Sequence, residues 1–180
     1  MEIKTFGDKK ITIRKAIKSD LKNAKKFQVF INSLVEEGSK LSLNKKLTVK
    51  EEKEFIERML RGMQNKTTVY LVAECDNKIV GSTDVELERW GRNHIGKFGI
   101  TIRDGFRGMG LGKHMMAEVI KLAKRELKPK PKIIQLTVYA NNNPAINLYK
   151  KIRFKIVAKL PKQIQHKGRL IDELVMTKFL

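Results

Sequence analysis

At 180 residues, 41% apolar and 32% charged, the chain is expected to bury a core as one domain over residues 1–180, and no apolar run is long enough to cross a bilayer. A net charge of +20 favours polyanionic partners (a nucleotide cofactor, nucleic acid, an acidic surface) and disfavours small polycations unless acidic residues gather at a site. The single cysteine, Cys75, excludes an internal disulfide, and Met1–Asp8 lacks the apolar centre of a signal peptide, so a reducing cytoplasm is the expected compartment.

Lys10-Ile11-Thr12-Ile13-Arg14 alternates as a first strand. Ser19-Asp20 can cap a helix that aligns Leu21, Ala24, Phe27, Ile31 and Leu34, with Gly38 as its stop. Ser39 to Lys46 shows no periodicity. Thr48 and Glu51 form a capping box for a second helix with Phe55, Ile56, Met59 and Leu60 inward and Gly62 at its end. Thr68–Cys75 and Lys78–Leu87 read as strands joined by a tight turn at Asp76-Asn77. A further strand runs from Asn93 to Ile102, where Phe98, Ile100 and Ile102 repeat at every second position.

Phe106-Arg107-Gly108-Met109-Gly110-Leu111-Gly112 follows, at the handover to a long helix marked by Leu111, Met115, Val119 and Leu122. Side-chain-free positions at a helix start expose backbone N–H groups at the positive end of the dipole, a seat for phosphate that Arg107 and Lys113 can reinforce. A P-loop is excluded because Gly112-Lys113-His114 lacks the hydroxyl and the spacing, and a dinucleotide fingerprint because the glycines are spaced by two throughout. A simple tight turn and an Arg-x-x-Gly-x-Gly anion loop remain open. Lys128-Pro129-Lys130-Pro131 ends the helix. Ile133–Tyr139 is a β-branched strand, and Asn143-Pro144 opens a short helix with Ala145, Leu148, Tyr149 and Ile152 inward. Phe154–Leu160 and Leu170–Phe179 close the chain around His166-Lys167-Gly168-Arg169. The order β-α-α-β-β-β-α-β-α-β-β is an α/β (α+β) domain with a mixed, mostly antiparallel sheet flanked by helices.

Two separated stretches make this order specific. Arg107, Gly110 and Gly112 supply Arg-x-x-Gly-x-Gly, and Asn142-Asn143-Pro144-Ala145-Ile146-Asn147-Leu148-Tyr149 supplies Asn-x-x-Ala-x-x-Leu-Tyr, each on the appropriate element. The chain thereby resembles the GCN5-related N-acetyltransferase (GNAT) superfamily over nearly its whole length. The resemblance implies acetyl-CoA as cofactor, released as coenzyme A, and direct acetyl transfer to an amine acceptor without a covalent enzyme species. It also implies that the Ile100-Thr101-Ile102 backbone pairs with the pantetheine arm and that Arg107, Gly108, Met109, Gly110, Leu111, Gly112 and Lys113 hold the pyrophosphate. Asn142 either bonds the pantetheine or caps the short helix. Tyr149 either protonates the departing thiolate or is a packed aromatic, and the motif favours the acid.

The base is less determined. The subgroup that acetylates ribosomal-protein N-termini carries a glutamate five residues before the asparagine, where this chain has Thr137, which cannot serve. Asp84, Glu86 and Glu88 share one strand face with Ser82, and His94 enters the next strand with a suitable intrinsic pKa; Glu86 and His94 are the selected candidates, against a solvated face or a structural histidine. The closing stretch Gly168–Met176 resembles the final hairpin of family members that acylate amino acids or related amines, which implies that Arg169 or Lys167 meets a substrate carboxylate and Asp172 or Glu173 an amine. No metal and no membrane association is expected, and the oligomeric state is open between monomer and homodimer. The acceptor expected is an amino acid or similar small amine, with a protein N-terminus or lysine as the alternative. The rival from another class, a basic nucleic-acid- or ribosome-binding protein on the same scaffold, rests on charge alone, since no aromatic-basic interleaving is present.

Overall fold

The computed structural model describes every residue except 42 and 44, both within the unpatterned Ser39–Lys46 stretch. Its strands are β1 (Glu2–Phe6), β2 (Lys9–Lys15), β3 (Thr68–Cys75), β4 (Lys78–Leu87), β5 (Ile95–Ile102), β6 (Ile133–Tyr139), β7 (Lys155–His166) and β8 (Arg169–Phe179). Its helices are α1 (Ala24–Glu36), α2 (Val49–Gln64), α3 (Leu111–Glu126) and α4 (Asn143–Lys151). The strands form one sheet in the order β1-β2-β3-β4-β5-β6-β8-β7. Every neighbouring pair is antiparallel except β5 and β6.

Each face of the sheet carries its own core. α3 and α4 cover one face through Leu111, Met115, Met116, Val119 and Ile146, which pack on Val85, Phe98, Ile134 and Met176. α1 and α2 cover the other through Phe27, Phe30, Leu34, Ile56 and Met59, which pack on Tyr70, Val72 and Ile79. This is the three-layer arrangement, with two cores, that amphipathic helices on both faces of a sheet produce.

Several boundaries differ from the sequence reading. β1 was not anticipated: four of its five residues are exposed, so it carries no burial pattern, and it is held as an edge strand through Gly7 (φ 60°) and pairing with β2. α1 begins at Ala24 after a short 3-10 turn over Lys18–Leu21; the buried Asp20 carboxylate instead accepts from the Ile17 amide at 2.8 Å and from both terminal nitrogens of Arg14. The Thr48/Glu51 capping box is present, but α2 runs past Gly62 to Gln64. Gly62 serves a close approach rather than a stop, because a Cβ there would lie 2.2 Å from Thr68 Oγ1. β7 continues through Pro161 to His166, with two register shifts against β8. As an outer strand it tolerates a proline that an inner strand would reject.

Candidate active site

The one parallel junction creates the site. β5 and β6 pair only over Ile95–Lys97 and Ile133–Gln135, and beyond that the strands diverge. The Arg103 amide donates to the Val80 carbonyl of β4, and the His94 carbonyl accepts from the Lys132 amide on the β6 side, each at 2.8 Å. Strand alternation therefore turns the peptide groups of Phe98, Ile100 and Ile102 toward β6, into the divergence, and that of Thr101 toward β4. The result is an open slot lined by backbone donors and acceptors. Arg107 Nε caps one of them, the Ile102 carbonyl, at 2.8 Å.

The glycine loop ends this slot. Gly105, Gly108 and Gly110 hold φ of 77°, 78° and 91°, and a Cβ on any of the three would meet no atom within 4 Å. Gly110 is the N-cap of α3. Among the described residues, the amides from Arg107 to Lys113 reach no hydrogen-bond acceptor, and Lys113 is exposed beside them. Met109 and Leu111 turn inward, Leu111 fully buried, and anchor the loop on the α3–α4 core. Gly112 keeps an ordinary φ and lies beside Ile100, Ile102 and Leu148, so its lack of a side chain gives room between α3, β5 and α4. These free amides, at a helix start with open space above them, fit a diphosphate.

Tyr149 packs on β5 from the α3–α4 side, 8% exposed, edge-on to Phe98 with ring centroids 6.3 Å apart. Its hydroxyl has no protein partner among the described residues, and burial pushes its pKa up to about 12, which keeps the proton on. Asn142 is the N-cap of α4, yet its side chain makes no capping hydrogen bond and has no partner among the described residues.

The opposite face, under α2, holds an acidic pocket. Asp84 pairs across the strands with Tyr70 on β3 and Gly99 on β5. A Cβ on Gly99 would lie 2.9 Å from Asp84 Oδ1, so the glycine leaves space that the carboxyl enters from the neighbouring strand. Burial, with Glu86 adding repulsion and Arg58 opposing it, raises the Asp84 pKa to about 7. Glu52 of α2, 4% exposed and without a partner among the described residues, is raised by burial to about 7 as well. Both bear on the Tyr70 hydroxyl, whose pKa burial also drives up. Ser82 Oγ and Thr101 Oγ1 meet at 2.9 Å beside them.

The remaining candidates are placed less centrally. Glu86 is engaged by Arg58 at 2.8 Å toward solvent, and Glu88 by Lys97 at 2.9 Å. His94 stands just before β5, at the end of that strand remote from the glycine loop. Asp172 is committed within its own hairpin, to Lys159 at 2.9 Å and the Lys162 amide at 3.0 Å. Arg169 is exposed beside that hairpin's turn, and Glu173 pairs with Tyr139 across β8 and β6. Lys167 reaches the C-terminal end of α1 instead: a Cβ on Gly38 would lie 2.5 Å from its Nζ. The segment after α1 forms a roof, with Lys40 Nζ donating to the Asn141 carbonyl at 2.6 Å and the Leu41 carbonyl accepting from Tyr139. Arg107 ties this roof to the glycine loop through Glu37 and Ser39 Oγ. The sequence reading missed Glu52, Tyr70 and Glu37, because a glutamate on an amphipathic helix and a tyrosine in a strand carry no pattern of their own.

A family model described as the acetyltransferase (GNAT) family matches residues 36–154, more than half of the chain. The L-amino acid N-acetyltransferase AaaT of Escherichia coli K12 is 31% identical over 109 residues, 60% of this chain and 66% of that protein. Across the curated relatives that it matches, the chain spans between 56% and 66% of their length. Among solved structures, a GNAT-family acetyltransferase from Streptococcus pneumoniae superposes with a TM-score of 0.81 at 26% identity, covering 94% of this chain and 99% of that one. The yncA protein of Salmonella typhimurium, solved with its cofactor acetyl-CoA, gives 0.79 at 20% identity, covering 94% of each chain. The α/β fold read from the sequence is thus found, and the chain belongs to the GNAT family of acetyltransferases.

Proposed function

We propose that the protein transfers an acetyl group from acetyl-CoA directly to the amine of an amino acid or similar small acceptor. The observation that carries the reading is the slot between β5 and β6, closed by free loop amides and open to a protonated tyrosine on one face and a carboxyl pocket on the other. Loop amides 107–113 would hold the pyrophosphate, with Lys113 adding charge, while the peptide groups of Phe98 and Ile100 and the Asn142 side chain would align the pantetheine. When bound, the cofactor supplies an acetyl group as a thioester, already activated toward an amine.

The chain's own residues manage the protons. Asp84, titrating near neutrality rather than near its ordinary 3.8, takes the proton that an acceptor ammonium must lose before it can attack. Tyr149, protonated at all physiological pH values, delivers a proton to the departing thiolate. Glu86 serves the same pocket indirectly, since its charge raises the Asp84 pKa. Support for the acceptor class comes from kinship with AaaT and from the carboxyls of Asp84 and Glu52, which suit an ammonium group. A free α-amino acid presents such an ammonium. The test is thiol release from acetyl-CoA with amino acids, polyamines and peptides as acceptors. Amino-acid-dependent release that disappears in Gly110→Asp, whose carboxylate occupies the anion seat, supports the reading. No release with any acceptor, or release that survives Gly110→Asp, refutes it.

A further inference from the structure

The charge of +20 is not absorbed by the acetyl-transfer site, and six of the cations gather elsewhere. A groove of about 650 Å³ runs between the C-terminal halves of α3 and α4 and the end of β8. Lys121, Lys124 and Arg125 of α3 form one wall; Lys151, Arg153 and Lys178 form the other, over an apolar floor that includes Ile120 and Ile152. No acidic residue lines it. Of the six cations, only Arg125 has a carboxylate partner among the described residues, Glu126 at 2.8 Å. Elsewhere in the chain Arg14, Lys45, Arg58 and Lys97 each sit within 3 Å of an acid. Lys178 donates to the Ile152 carbonyl, and its ammonium pKa is lowered by burial and then by Arg153 and Lys124. Such crowding is unfavourable in isolation and is relieved by an anion long enough to meet both walls.

We propose that this groove binds the phosphodiester backbone of a nucleic acid, independently of acetyl transfer and without reading sequence. Two facing rows of cations, five of the six without a carboxylate partner among the described residues, match a chain of regularly repeated negative charges, whereas a single phosphate needs far fewer. A planar lipid surface cannot enter the recess. The lining has no aromatic side chain to stack a base and no Asn or Gln to read a base edge, so contact is to phosphates and RNA and DNA bind alike. Lys121 to Arg125 lie ten to fourteen residues after Leu111, roughly 15–20 Å along α3 from the glycine loop. That separates the groove from the pyrophosphate seat.

The experiment is fluorescence anisotropy with labelled 20-nucleotide single strands of RNA and DNA, across a salt series, on the full chain. The groove variant is Lys121→Glu, Lys124→Glu, Arg153→Glu; the control, with the same change in net charge, is Lys22→Glu, Lys50→Glu, Lys53→Glu on exposed sites of the opposite layer. Binding by the parent chain is expected to weaken with salt. The groove variant should lose at least tenfold more affinity than the control and lower the log–log salt slope by about 2, at roughly 0.7 per single-strand phosphate contact. Lys124→Gln with Arg153→Gln provides a milder version should the reversal fail to fold, and coenzyme A affinity of each variant is measured beside it. Equal losses in groove and control variants overturn the proposal, as diffuse charge would then suffice. So does absence of binding at physiological salt, or stronger binding of poly-glutamate than of either oligonucleotide. Loss of coenzyme A affinity with dephospho-coenzyme A affinity retained also overturns it, by assigning the groove to the cofactor's 3′-phosphate.

Discussion

Asp84→Asn tests the acidic pocket through two independent quantities. In the folded chain the Asp84 pKa is about 7 against an ordinary 3.8, so folding disfavours its ionised form. Below pH 4 both folded and unfolded states are protonated and the group contributes nothing. As pH rises from about 4 to 7 the unfolded state releases its proton first, and stability falls; above 7 the loss is complete. The gap between 3.8 and about 7, at about 1.36 kcal/mol per tenfold change in proton affinity, sets a ceiling of about 4 kcal/mol. Asp84 retains some contact with water, which reduces the expected loss to roughly 2 kcal/mol. The asparagine variant should therefore match the parent at pH 4 and exceed it by that amount at pH 8, about 5 °C in melting temperature for a chain of this size. Activity should move the other way. kcat/KM in the parent should rise with pH through an inflection near 7, and the variant should lose both that limb and about 10²–10⁴-fold in rate. Urea unfolding at the two pH values and a pH–rate profile measure both. A parent that is the more stable protein at pH 8, or a variant that keeps the limb, refutes Asp84 as a buried, poorly compensated base.

Three further predictions concern separate parts of the chain. Tyr149→Phe should lower kcat roughly 10²-fold while leaving coenzyme A affinity within about threefold, by stopped-flow and calorimetry; unchanged turnover removes the tyrosine from the proton path. Gly110→Ala places a Cβ at φ 91° over the loop, and should cost about 1–2 kcal/mol of stability and at least tenfold in coenzyme A affinity. Gly62→Ala should destabilise by about 1–3 kcal/mol in urea despite the better helix propensity of alanine, because its Cβ meets Thr68 Oγ1; a stabilised variant would mean that β3 shifts freely.

The parts of this fold that were legible in the sequence are those where local chemistry and global structure agree. Thr48 and Glu51 cap α2 as their spacing indicates, and Asp76 and Asn77 take φ of 48° and 61° in the hairpin turn that their residue types favour. The glycine loop falls between strand and helix where its motif requires. What stayed hidden depends on partners distant in sequence. β1 exists only because β2 offers an edge, and β7 passes Pro161 only because no strand lies outside it. Alternation could not rank Asp84 against Glu86, since both share one face. Gly99 opposite the first and Arg58 beside the second separate them, and neither contact is written in the strand itself. Glu52 resembles any solvent-facing glutamate of a charged helix until the sheet beneath it is assembled.

Among the described residues, the three rungs of parallel pairing between β5 and β6 are also the only ladder that joins the five-strand and three-strand halves of the sheet. A ligand lying in the divergence thus acts as a missing rung: it laces two blocks that the polypeptide itself fastens only at one end. Its binding energy then enters the cohesion of the whole chain, and amide exchange in β6 and β8, far from any phosphate, should slow when the slot fills.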